Sequence, residues 1–337
     1  MICPHCAQNV LRRERTGRRC GKCRQAFALE PKETVLGLHD MRVRRLADKL
    51  GGGRGLRYTL PQLYYAAARR KVPDLRVRFL GRRFLVSVPI AVVTFFTAIS
   101  GVIPPAITLV VGAGALILVN LGMTAIKPWF LRTSPVRLPV TYDRFVQDTF
   151  NRWISVYGAP PHGSVADFVT PPPVPEFPRV ALLCEDRSVW ACLAANGAVE
   201  NWQMVFANRV DRLPPRVPVL ILHDASVAGL LFAGAALAAL GPRGVPVGIA
   251  PRSLLGKPKA LRLRDAQPSK ADLDRVRPLV SPQEFEWLAQ GWFSPVSAVP
   301  PAKLIAAVDG ALNRAEDATD PDRRAARAIG FLTWPAA

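Results

Sequence analysis

The sequence predicts a multi-domain membrane protein: a cysteine-bearing N-terminal unit, a small basic helical module, a two-helix transmembrane hairpin and an α/β domain. Three observations carry that prediction. Residues 84–126 contain no Asp, Glu, Lys, Arg or His. Two Cys-x-x-Cys pairs stand near the start of the chain. From Arg179 onward, short apolar runs alternate with helix-like segments. The 337 residues give room for the hairpin, one sizeable domain and one small one.

Cys3, Cys6, Cys20 and Cys23 form two knuckles separated by 13 residues. Four thiolates at this spacing suit a tetrahedral zinc ion, each pair wrapping one edge. A four-cysteine set leaves no open coordination position, so the expected zinc is structural and His5 is a bystander. Gly21 is expected to supply the positive φ that a knuckle turn needs. With Phe27 shortly after the second knuckle, residues 1–30 resemble the zinc-ribbon family. That resemblance implies a unit stabilised by its metal. Zinc ribbons touch nucleic acid, contact proteins or cap a neighbouring domain. Arg12, Arg13, Arg15, Arg18 and Arg19 between the knuckles favour a polyanion.

The formal charge is +20, and it is uneven: residues 1–83 hold 21 Lys/Arg against 6 Asp/Glu. A basic segment beside a membrane binds anionic lipid, nucleic acid or both. Arg outnumbers Lys 36 to 9, however, and a GC-rich coding bias gives the same excess without a polyanion partner. Charge alone therefore leaves an unknown protein partner open as well.

Residues 34–83 read as two helices around the glycine break at Gly51–Gly55. Leu38, Met41, Leu46 and Leu50 outline the first, with a basic outer face. Thr59 reads as the N-cap of the second, with Pro61 in its first turn. Helix, short turn, helix is compatible with a helix-turn-helix unit. Thr59-Leu60-Pro61-Gln62-Leu63-Tyr64-Tyr65 resembles the winged-helix tyrosine motif of type IIB topoisomerase A subunits. The resemblance implies that Tyr65 attacks DNA phosphate, but Pro61 stands where that family tends to have Arg. The other reading is a tyrosine pair packing a small helical domain.

Within residues 84–126, Pro104 and Pro105 divide two apolar spans, 84–100 and 106–126. At about 1.5 Å per residue these reach about 25 and 31 Å, against a hydrocarbon core of about 30 Å. Arg76, Arg78, Arg82 and Arg83 precede the hairpin, and Lys127, Arg132 and Arg137 follow it. Positive residues stay inside, which predicts a multi-pass protein of the cytoplasmic membrane with both termini cytosolic. The alternative is a buried helical hairpin of a soluble protein. No cleavable signal peptide is expected, since the chain starts polar and cysteine-bearing. Cys184 and Cys192 lie in apolar surroundings as free thiols, in keeping with a reducing cytosol.

Residues 127–178 read as a proline-rich juxtamembrane connector. It includes an aromatic helix over 141–157 that either lies in the headgroup layer or covers a core. The prolines of 171–175 read as a stiff spacer.

Residues 179–337 read as a cytosolic α/β domain with a helical tail. Buried strands are expected at 180–184, 204–207, 217–222 and 245–250, with helices at 189–196 and 226–240. Uninterrupted apolar strands joined through helices imply a parallel, Rossmann-like sheet covered on both faces. In the tail, Ser281-Pro282-Gln283-Glu284 reads as a helix start, and 301–317 as an amphipathic helix. Polar residues at carboxyl ends of strands mark the functional edge. Glu185 follows the first strand and His223-Asp224 the third. This arrangement resembles the Toprim domain of topoisomerases and primases. Carried over, Glu185 matches the family's Glu, Asp224 the first Asp of its Asp-x-Asp and Gly229 its glycine, implying a Mg²⁺ site for phosphodiester chemistry. Ser226 replaces the second Asp, which weakens a hard-cation site. In the other reading, Asp224 and Ser226 cap the next helix and Glu185-Asp186 are solvated.

The function expected from these parts is recognition at a membrane, of nucleic acid or a protein partner, by the basic N-terminal part and a degenerate Toprim-like domain. A Mg²⁺-dependent nuclease or phosphotransfer enzyme using Glu185 and Asp224 is the alternative. A scaffold whose zinc ribbon docks protein is the second. No Walker-type phosphate loop, serine elbow or His-rich metal motif occurs in the sequence.

Overall fold

The computed structural model describes residues 1–166, 172–257 and 260–319. Pro171 of the expected spacer and residues 320–337 of the expected tail lie outside the described residues.

After the cysteine unit, helix α1 (Asp40–Gly51) ends where Gly52 turns left-handed at φ 61°. Strand β1 (Tyr58–Thr59) leads into α2 (Leu60–Ala68). Thr59 and Gln62 form a capping box there, the Thr59 N–H donating to Gln62 Oε1 at 2.9 Å. α1 buries Val43, Ala47 and Leu50, and α2 buries Leu63, Tyr64 and Ala67. Two short helices are too small to enclose that face. It is closed from beyond the apolar hairpin, by Val140, Phe145 and Trp153. Val140 precedes α5 (Tyr142–Phe145), which carries Phe145; a π-helical stretch (Val146–Asn151) then leads to α6 (Arg152–Tyr157), which carries Trp153. The Tyr64 hydroxyl donates to Val140 O at 2.7 Å. β1 also pairs in parallel with β2 (Ser164–Val165). The aromatic helix thus covers a core, that of the module before the hairpin, and the hairpin is inserted between two halves of one packing unit.

The hairpin consists of α3 (Leu75–Ser100) and α4 (Pro105–Thr133). Asp74 starts α3 by accepting the Arg76 N–H at 2.8 Å, and Gly101 ends it at φ 69°. Pro105 opens α4 at a position where its missing N–H costs nothing. Both helices continue past the apolar spans, to about 39 and 44 Å in length. They touch at Gly112, where a Cβ would lie 2.2 Å from Thr94. Nearer the base, Arg83 donates to Asn120 Oδ1, and Asn120 Nδ2 donates to Leu116 O. Both helices are long and apolar enough to cross a membrane, and the most apolar stretch of α3 is 0% buried, that of α4 11%. Their apolar side chains are not the core of this fold.

In the α/β region β3 (Val180–Leu183) is followed by α7 (Arg187–Ala195), α8 (Ala198–Trp202), β4 (Met204–Ala207), β5 (Val219–Ile221), α9 (Val227–Leu240) and β6 (Gly244–Pro246). Beyond these lie α10 (Arg252–Leu255), β7 (Leu263–Arg264), α11 (Lys270–Val276), α12 (Pro282–Ala289), β8 (Trp292–Phe293) and α13 (Pro301–Thr319). The sheet is parallel throughout, in the order β4-β3-β5-β6. Val180 and Leu182 face a cluster with Val189, Leu304 and Val308, whereas Ala181 and Leu183 face Ala233 and Ala236 of α9. Helices on both faces explain strands without polar alternation. The uncharged α9 is sandwiched, since Val227 packs with Leu254, Val276 and Trp287 on its far side.

Side chains join the parts. Gln62 Nε2 donates to Val299 O at 2.8 Å, and the Asn196 amide satisfies both the N–H and the C=O of Arg57. Arg264 is 1% exposed; it donates to Leu131 O and Ser134 O at the end of α4 and lies 4.7 Å over the Trp292 ring. A buried guanidinium there meets the last carbonyls of α4 and favours that helix end electrostatically.

Candidate functional site

The four cysteine sulfurs all lie within 4.8 Å of one another. Cys3 Sγ is 3.7 Å from Cys23 Sγ, and Cys6 Sγ 3.9 Å from Cys20 Sγ. A tetrahedron with metal–sulfur bonds of about 2.3 Å has edges of about 3.8 Å, so the donor set fits zinc. The two knuckles share one turn: Ala7 N–H donates to Cys3 O at 3.1 Å, and Arg24 N–H to Cys20 O at 2.7 Å. The backbone N–H of Cys23 holds the Cys20 thiol down at about 6, against the upward push of burial.

The positive φ of each knuckle belongs to Ala7 (55°) and Arg24 (59°), not to Gly21 as the sequence suggests. Gly21 is needed for space instead, because a Cβ there would sit 2.7 Å from Glu14 O, the carbonyl its own N–H bonds. His5 turns away from the sulfurs, with Nε2 2.8 Å from Ala26 O and its ring stacked on Tyr157.

This unit is fastened to the helical module. Asp40, wholly buried at the start of α1, accepts the Ala28 and Leu29 N–H groups at 2.8 Å each and the Tyr157 hydroxyl. Arg44 donates to Pro4 O at 3.1 Å, and Arg15 pairs with Glu30 with both side chains 8% exposed. Away from this junction, Arg12, Arg13, Arg19, Lys22 and Arg24 are exposed and have no ion-pair partner among the described residues.

The second constellation lies at the carboxyl edge of the sheet. The chain leaves β3 toward β4, then crosses back to β5, which places a topological switch point between β3 and β5. Glu185 and Asp186 follow β3; His223 and Asp224 follow β5. Glu185 is exposed. Asp186 caps α7 by accepting the Ser188 N–H at 2.9 Å. Asp224 Oδ1 accepts the Val296 N–H at 2.6 Å; burial, with Asp186 and Glu185 nearby, nevertheless pushes its carboxyl above the usual range. Ser226 Oγ caps α9 through the Gly229 N–H at 3.0 Å. A Cβ on Gly229 would lie 2.5 Å from Asp224 O. His223 bonds Asp224 O through Nδ1, and its ring fills the space over Gly248, whose Cβ would lie 2.0 Å away.

Tyr65 reaches the same edge. It lies near Ser297, and burial raises its phenol, with smaller contributions from Asp224 and Asp186. Among the described residues, the cysteines are the group of three or more Cys, His, Asp or Glu that could hold a metal ion.

One segment, residues 292–297, runs between these features. Trp292 and Phe293 pair with β7, Ser294 with Ala225 and Val296 with Asp224, and Ser297 lies near Tyr65. Through Arg264 on β7 it also reaches the end of α4. The sequence gives no signal for this strap, because Ser297 and Arg264 carry no local pattern that announces long-range partners.

No family model, curated protein or solved structure matches this chain. The functional reading therefore rests on the arrangement of its own residues.

Proposed function

We propose that this chain is a membrane-anchored, cytosol-facing protein whose zinc-ribbon face recognises nucleic acid. The exposed cations Arg12, Arg13, Arg19, Lys22 and Arg24, unpaired beside a tightly fastened metal unit, carry the reading. A rigid array of arginines fits phosphate oxygens, and the fastening to α1 and α6 keeps their spacing fixed. The anchor is supported by two exposed apolar helices with Arg76, Arg78, Arg82, Arg83, Lys127 and Arg132 all at one end. Positive charge on that side supports a reading with both termini in the cytosol. The α/β domain is in this reading a degenerate, Toprim-like platform, with Ser226 used as a helix cap where a second carboxylate would stand.

The test is binding of the full chain, in detergent or nanodiscs, to labelled DNA and RNA across a salt series. Phosphate contacts release counterions, so log K should fall with log salt by about 0.7 to 0.9 per contact. Removing Arg12, Arg13 and Arg19 should lower the slope. A flat salt dependence would leave protein docking as the role of the ribbon.

A second reading, a Mg²⁺-dependent phosphodiester enzyme, is supported by Glu185 and Asp224 at the switch point, with Tyr65 near Asp224. A Glu185→Ala/Asp224→Ala variant that kept every nucleic-acid activity of the parent would end it.

A further inference from the structure

The cations at the base of the hairpin form a feature separate from the ribbon. Arg76, Arg78, Arg82, Lys127 and Arg132 are exposed, and no described acidic side chain pairs with any of them. The nearest carboxylate in sequence, Asp74, is engaged as the N-cap of α3. The two helix bases are held at one level by the Phe79–Phe130 contact (5.4 Å), with the Arg82 guanidinium 4.9 Å over the Phe130 ring. Arg83 is withdrawn from the group by its bond to Asn120. At the same level Trp129 is 65% exposed, a side chain suited to the boundary between hydrocarbon and headgroups. The partial negative charge at the end of α4 is already met by Arg264. The result is a ring of cations around a helix pair with no ion-pair partner among the described residues.

We propose that this ring binds anionic phospholipid headgroups, with Arg76, Arg78, Arg82, Lys127 and Arg132 contacting lipid phosphates. Arginine guanidiniums donate paired N–H groups to phosphate oxygens, and a polybasic segment next to a membrane helix gains about fivefold in affinity per cation on an anionic surface. The proposal rests on the membrane reading above. It adds that the ring distinguishes lipids, which charges serving only to orient the hairpin would not do.

The full chain would be reconstituted in nanodiscs of mixed phosphatidylcholine and phosphatidylglycerol, then extracted in mild detergent and its retained lipid quantified. Failure of the membrane reading would show first, as a chain that stays soluble without detergent and does not enter nanodiscs. For an inserted chain, phosphatidylglycerol should be retained at least tenfold over its share of the disc. An Arg76→Gln/Arg78→Gln/Arg132→Gln variant, which keeps Arg82, Arg83 and Lys127 for orientation, should lose most of that enrichment with its zinc content unchanged. An Arg12→Gln/Arg13→Gln variant should retain it. Equal retention of the two lipids by the parent would overturn the proposal. So would an enrichment that survives in the triple variant, or one abolished by competing inorganic phosphate, which would mark a site for free phosphate.

Discussion

The cysteine unit's own cluster is Cys3, Val10 and Cys20, with Cys6 and Cys23 packed against them, while Ala28 and Leu29 are buried in the core of α1 and α2. β3 alone buries Val180, Ala181, Leu182 and Leu183 at 0% exposure, with helices packed on both faces. Two routes to order are present in one chain. The first has four converging cysteines that could hold a metal ion, and a set of charged anchors; the second holds by removing apolar surface from water. Loss of metal and loss of core volume should therefore damage different parts of the molecule.

The largest effect is expected from the metal. Zinc binding to isolated finger peptides is worth about 10–16 kcal/mol at neutral pH, nearly all of it folding energy. Chelation, or Cys20→Ser, should make residues 1–30 protease-sensitive while the α/β domain keeps its cooperative unfolding. Protection of the N-terminal unit after verified zinc loss would mean that its anchors hold it without metal, and the contrast would fail.

A core truncation should do the converse. Leu182→Ala leaves a cavity between two covered faces and should cost about 2–5 kcal/mol in denaturant unfolding of the α/β domain. Zinc affinity should not change, since no cysteine ligand packs against that strand. A parallel fall in zinc affinity would show that the two regions fold as one unit.

Asp40 sits at the junction and sharpens the comparison. Its carboxylate is wholly buried and accepts from the Ala28 and Leu29 N–H groups and from Tyr157. Asp40→Ala strands those donors and should cost about 3 kcal/mol. The specific expectation is a unit that still holds zinc but is released from α1, seen as cleavage near residues 28–39 at full zinc occupancy. Unchanged cleavage would assign the fastening to Arg44 and to the Arg15–Glu30 pair instead.

What the sequence made legible follows from the range of each interaction. The cysteine knuckles, the apolar spans and strand 204–207 are local patterns, and the structure has a converging cysteine cluster, two exposed apolar helices and Met204–Ala207 as a strand. The capping boxes at Thr59 and Ser281 are equally local. The closure of the α1–α2 core by Phe145 and Trp153 is not, because the partners lie on either side of the hairpin. Arg264 reaches a carbonyl 133 residues away, and nothing in Leu261-Arg262-Leu263-Arg264 separates the fully buried arginine from the half-buried Arg262. Gly21 shows a subtler limit: the glycine was visible, but its reason, a close approach to Glu14 O, depends on a contact the turn alone does not contain.

The smallest effect concerns the sheet edge. Burial, and the nearby Asp186 and Glu185, raise the folded pKa of Asp224, so the folded state holds that proton more tightly than the unfolded chain does. The stability from this linkage is complete below the ordinary aspartate range and is lost as pH rises through the raised value. At neutral pH the ionised carboxylate is thus a net cost. Asp224→Asn keeps an oxygen for the Val296 N–H and removes the charge, so it should stabilise the α/β domain at neutral pH by under about 1 kcal/mol. That gain should vanish in acid, as read from urea midpoints at both pH values. A loss of stability at neutral pH would carry more information than the gain. It would mean that a cation compensates the carboxylate in the folded protein, which is the condition a Mg²⁺ site at Glu185 and Asp224 requires and a degenerate platform does not.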